Sequence, residues 1–124
     1  MKSGDDLTSN PEEMGLQILA EADSQGLEKE LIRQLNKDLS MSGLELSIAE
    51  GLPPEKVVQR LKQILEGLVR DDFQGFLNLL YRADVSQSKM SRSEEGSFSD
   101  YIDKSTWELL KREWQKVWIR NKIR

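Results

Sequence analysis

The stretch that most limits what this chain can fold into is "LPPEKVVQRLKQILEGLVRDDFQGFLNLLYRADV", residues 52–85. Val57, Val58, Leu61, Ile64, Leu65 and Leu68 recur at three- and four-residue steps. That spacing gathers them on one side of a helix and would scatter them over both faces of a strand. Pro53 and Pro54 open the helix, because proline pre-sets φ there and the first N–H groups have no partner to lose. Past Asp71 and Asp72 the pattern resumes with Phe73, Phe76, Leu77, Leu80 and Tyr81. Phe73, Leu77 and Leu80 extend the face begun by Leu61 and Leu65. The pattern fits one long helix or two with a kink at "RDD", where Asp71 either caps the second or sits on a solvated surface.

The flanks read the same way. Asn10, Pro11, Glu12 and Glu13 mark a helix start, and Met14, Leu16, Ile18 and Leu19 carry it from about residue 11 to 23, where "DSQG" ends it. Leu27, Leu31, Leu35 and Leu39, with Ile32, recur every fourth residue up to "SMSG". Ser42 and Glu45 have capping-box spacing, so a short helix carrying Leu44, Leu46 and Ile48 is expected before Gly51. Residues 86–99 include six serines and read as a loop. A final helix begins between Ser99 and Ser105, with Ser105 and Glu108 again at capping-box spacing. The expected fold class is all-α: a small helical bundle of four to six helices with short connections. The 124 residues suit one domain, with 1–9 disordered, 86–99 a serine-rich loop and 104–122 a basic, tryptophan-containing terminal helix.

Cysteine and histidine are both absent. Disulfides and thiolate metal sites are thereby excluded, as is the commonest general base. No apolar run approaches the roughly twenty residues that a spanning helix needs, and "MKSGDDLTSN" has no signal-like apolar region. A soluble, cytoplasmic protein is expected. No glycine-rich phosphate loop or calcium loop occurs. Adjacent acids such as Asp71–Asp72 point about 100° apart on a helix and make poor metal clamps, so no cofactor or metal is expected.

The end of the chain, "STWELLKREWQKVWIRNKIR", combines three tryptophans with a run of cations. On a helical wheel Trp107, Leu110, Trp114, Val117 and Trp118 fall within an arc of about 100°. Arg112, Lys116, Arg120 and Arg124 line up nearly opposite, with Lys111 and Lys122 flanking the aromatic arc. Aromatic and cationic groups that diverge do not form a stacking groove for a single strand. The aromatic face is therefore expected to be core or interface, and Glu108 is placed to pair with Arg112. Residues 104–124 hold seven Lys or Arg against two Glu, a net of +5 in a chain whose total is −4. The basic segment has three conceivable destinations: the chain's own acidic body, that of a second copy, or phosphates.

Tyr81, Arg82 and Asp84 close an apolar helix in "NLLYRADVS". Arg82 suits the negative helix end, and Asp84 can cap the next turn; as a site, the corner would use Arg82 to contact an anion. Leu79, Leu80, Tyr81, Arg82, Asp84 and Val85, preceded by "DDF", resemble a stretch found in a group of small bacterial helical proteins of unknown function. The resemblance covers about residues 55–85 and implies a bacterial origin and a compact helical domain, with no activity attached. Gln87 stands where that group usually has an acid.

The expected role is a non-enzymatic protein–protein interaction or adaptor module, with a protein partner or self-association. Trp107, Trp114, Trp118, Arg112, Lys116 and Arg120 are the candidate interaction residues, and Tyr81, Arg82 and Asp84 the candidate polar corner. A nucleic-acid-associated factor using the basic stripe is the alternative. A carboxylate-based enzyme drawing on Asp71, Asp72, Tyr81, Arg82 and Asp84 is the second.

Overall fold

The computed structural model describes residues 10–86 and 96–123, and these form five helices with no strand among them. They are α1 (Pro11–Ser24), α2 (Glu28–Met41), α3 (Pro54–Asp71), α4 (Phe73–Ala83) and α5 (Phe98–Lys122). The disorder expected over 1–9 and most of the serine-rich loop lie outside the described residues. No helix among the described residues is long and apolar enough to cross a membrane.

Each boundary has a local cause. Asn10 Oδ1 accepts from Glu12 N at 2.8 Å and starts α1. Helices α1 and α2 both end with Gly26 and Gly43 at positive φ, where the following N–H turns back onto the helix: Leu27 N to Ala22 O and Leu44 N to Leu39 O. The stretch 54–83 is two helices, and the break is Asp72 rather than Asp71. Asp72 takes an extended φ of −150°, and its Oδ1 accepts from Gly75 N at 3.0 Å. The last helix starts at Phe98, before the expected window, because Ser97 and Asp100 form the capping box. Ser105 instead lies buried inside that helix and donates back to Tyr101 O.

The short helix expected near residue 45 is absent. Residues 44–49 form an irregular strap in which Leu44, Leu46 and Ile48 turn inward at every second position. Asn36 holds the strap in place: its amide donates to Ile48 O at 2.9 Å and accepts from Ile48 N at 2.8 Å. That one side chain satisfies both backbone groups of Ile48, and Arg60 Nε donates to the neighbouring Ser47 O.

The core runs from Ile18 and Leu19 through Leu31, Leu35, Leu61, Leu65, Phe76 and Leu80 to Leu109, Leu110 and Val117. Burying each large apolar side chain contributes about 1.5–3 kcal/mol. Helix α5 packs against all four other helices. The terminal helix is thus the central post of the bundle, and its length of 25 residues, roughly 37 Å, lets it span every layer. In α4 the buried face is Gly75, Phe76, Leu79, Leu80 and Ala83. Phe73, expected to point inward, is about half exposed, and its ring stacks on that of Phe76 with centroids 5.6 Å apart.

Candidate functional site

Of the cations at four-residue steps, Arg112, Lys116 and Arg120 on α5 each meet an acid, and Arg124 lies outside the described residues. Arg112 Nη2 lies 2.9 Å from Asp84 Oδ2, and its Nε reaches Asp84 O. Lys116 Nζ lies 2.8 Å from Asp38 Oδ2. Arg120 grips Glu30 Oε2 with Nε and Nη2, at 3.0 and 2.7 Å, and gives Nη1 to Gln34 Oε1 at 3.0 Å. Asn121 adds a bond to the same Glu30 oxygen. Of the three destinations open to the basic stripe, the structure shows the first, the chain's own acidic body. Glu108 does not pair with Arg112; it meets Lys111 one residue nearer, at 3.4 Å.

Beneath this ladder lies a group that the helical wheel passed over. Glu113 is 0% exposed. It sits beside Asp38, also buried, and Lys116 Nζ stands 3.0 Å from its Oε1. The ammonium lies off the hydrogen-bonding direction, so neither Glu113 oxygen has an aligned donor among the described residues. An ionised carboxylate in that position would be costly. A protonated one can donate to Asp38. Burial accordingly pushes the Glu113 carboxyl up to about 9, reinforced by the adjoining Asp38 and opposed by Lys116. Burial raises Asp38 too, but the hydrogen bonds from Glu113 and Lys116 outweigh it and hold Asp38 below its usual range. Lys116 loses some affinity for its proton through burial and gains more from the two acids, so it stays charged. The three groups form a neutral acid and a carboxylate, both buried, and an ammonium that is partly exposed.

A signal for this cluster was present in the sequence. Thr106, Leu109, Leu110, Glu113, Trp114 and Val117 follow one apolar stripe, as do Leu31, Gln34, Leu35, Asp38 and Leu39. A polar residue inside such a stripe faces the core and needs a partner. The partner's identity required the antiparallel register of α2 and α5.

The tryptophans divide. Trp114 is buried, Trp107 is half-buried under Lys111 (5.2 Å from Nζ to the ring centroid), and Trp118 is 38% exposed with Lys122 over its ring at 5.3 Å. Trp118 continues into exposed Ile119 and Ile123. Trp114, Gln115, Trp118 and Ile119 line a groove of about 280 Å³ whose far wall includes Glu21 of α1.

The polar corner also divides. Asp84 is the left-handed residue that ends α4, at φ 66°, and its carboxylate goes to Arg112. Tyr81 and Arg82 face away from it into a shallow depression of about 220 Å³ shared with Met41, Ser42 and Asn78. Asp71 is exposed and Asp72 is occupied as a cap. The five residues that a carboxylate enzyme would need are therefore not gathered. No cluster of three potential metal ligands occurs among the described residues.

Comparison with models of protein families, with curated proteins and with solved structures found no match to this chain.

Proposed function

We propose that this chain is a non-enzymatic protein-interaction module of the adaptor kind, and that the distal face of α5 joins two copies of it. The observation that carries this reading is the run of Trp118, Ile119 and Ile123 beside the rim of Trp114, left uncovered at the end of a helix otherwise sunk in the core. Contiguous apolar surface of this kind marks a contact face. The groove is self-complementary in charge. Glu21 stands on one wall and Lys122 above Trp118 on the other, so a two-fold arrangement brings Lys122 of each copy to Glu21 of the other.

The other readings have less to draw on. Arg112, Lys116 and Arg120 each already hold an acid, and a phosphate would have to displace it. Asp38 and Glu113, a close acid pair, are shut away from any substrate.

Sedimentation equilibrium tests the proposal. The wild-type chain should dimerise with rising concentration, while Trp118→Ala and Ile119→Glu stay monomeric with little change in unfolding temperature. Lys122→Glu should weaken the dimer, and adding Glu21→Lys should restore it. A wild-type chain that remains monomeric up to about 1 mM, where association contributes only about 4 kcal/mol, would sink the idea.

A further inference from the structure

A second surface lies on the opposite side of the bundle, where α2 and α4 both end. Five arginines among the described residues have acceptors: Arg33 on Glu50, Arg60 on Ser47 O, Arg70 on Glu66, Arg112 on Asp84 and Arg120 on Glu30. Arg82 alone among the described residues has none. Its neighbour Tyr81 is 84% exposed, and Met41 across the depression is 51% exposed. No carboxylate among the described residues lines the depression.

The ordinary explanation for a cation at this point is that it neutralises the carbonyl end of its helix. Here the end is already closed. Val85 N donates to Leu80 O and Asp84 N to Tyr81 O, and the α2 end is closed likewise by Leu44 N and Gly43 N. Arg82 is not needed for capping. Tyr, Met and Arg are, however, the residue types enriched at the centres of protein interfaces, where Tyr and Arg also contribute most of the binding energy. On α4, exposed Phe73 and Tyr81 flank Leu77 at four-residue steps, with Leu77 itself partly buried against the core.

We propose that the Met41–Tyr81–Arg82 corner docks an acidic, apolar segment of a partner protein. A partner carboxylate takes the planar guanidinium of Arg82 in a bidentate bond. An apolar partner side chain enters between Met41 and Tyr81, and the Asn78 amide and Ser42 hydroxyl complete the polar rim. The occupant is acidic because Arg82 brings to the corner a positive charge that no carboxylate among the described residues meets. This surface is separate from the α5 groove, so either can fail without the other.

A random-peptide display selected on the full chain tests this. Peptides recovered against wild type should carry Asp or Glu next to Leu, Phe or Tyr. Arg82→Gln and Tyr81→Ala should each weaken them at least about tenfold, with unfolding temperatures unchanged because both side chains are exposed. Arg33→Gln, a surface arginine elsewhere, and Trp118→Ala should bind as wild type does. Recovery of only basic or uncharged peptides, undiminished binding to Arg82→Gln, or no peptide sensitive to the corner would each overturn the proposal. A fall in stability in Arg82→Gln would assign the residue to helix capping instead.

Discussion

Asp84 and Lys116 show how much a single side chain's partner decides. Asp84 occupies a left-handed conformation that costs a residue with a Cβ roughly 1 kcal/mol, and it holds Arg112 across an exposed ion pair worth up to about 1 kcal/mol. Asp84→Gly relieves the first and loses the second, so its denaturant midpoint should stay close to wild type. Asp84→Ala keeps the strain and loses the pair, and should be the less stable of the two by about 1 kcal/mol. Lys116 is different in kind, since its ammonium is the counter-charge of buried Asp38. Lys116→Met should cost about 3–5 kcal/mol at neutral pH, measured by urea unfolding. For the same reason, reversing Arg112, Lys116 and Arg120 together to Glu should unfold the chain, and loss of binding in that variant would say nothing about a surface.

Among the elements, the junction of α3 and α4 rests on one cap. Asp72→Ala removes the acceptor of Gly75 N and should cost about 1 kcal/mol, whereas Asp72→Asn should retain most of it; thermal melts of the pair measure the difference. The choice of Asp72 over Asp71 was hidden in "RDD", because the two carboxylates are chemically alike and only the turn into α4 aims one at a free N–H. Similarly, Leu44, Leu46 and Ile48 can be read with Ser42 as a capped helix. Their two-residue alternation is the better guide, and the Asn36 clamp that makes an irregular strap tolerable comes from a helix twelve residues before Ile48.

For the whole molecule, the buried acid pair sets a pH dependence. Glu113 loses its proton near 4.5 when unfolded and only near 9 when folded. Between those values the folded chain binds more protons than the unfolded one, so stability falls as pH rises, by up to about 1.4 kcal/mol per unit from this group. Asp38 has the opposite sign: its contribution is present above its ordinary value of 3.8 and is lost as pH falls through the lowered one. Unfolding free energies from pH 5 to 9 should therefore decline, and Glu113→Gln, which can still donate to Asp38, should flatten the decline. The stability of that variant relative to wild type should grow with pH; equal slopes would mean that folded Glu113 is ionised.

The sequence by itself determined the all-α class, because apolar residues at three- and four-residue steps have only one way to share a face, and it placed α1, α2 and the start of α3 by their prolines, caps and glycines. It also separated the tryptophans from Arg112, Lys116 and Arg120 on α5, since that depends only on helical geometry. Only the tertiary structure decided where those two faces went. Burial of Trp114 but not Trp118, capture of the basic stripe by Glu30, Asp38 and Asp84, and the meeting of Glu113 with Asp38 all result from α5 running through the middle of the bundle, against α2 and the end of α4. Pairings between residues dozens of positions apart depend on which helices become neighbours, and local periodicity carries no information about that.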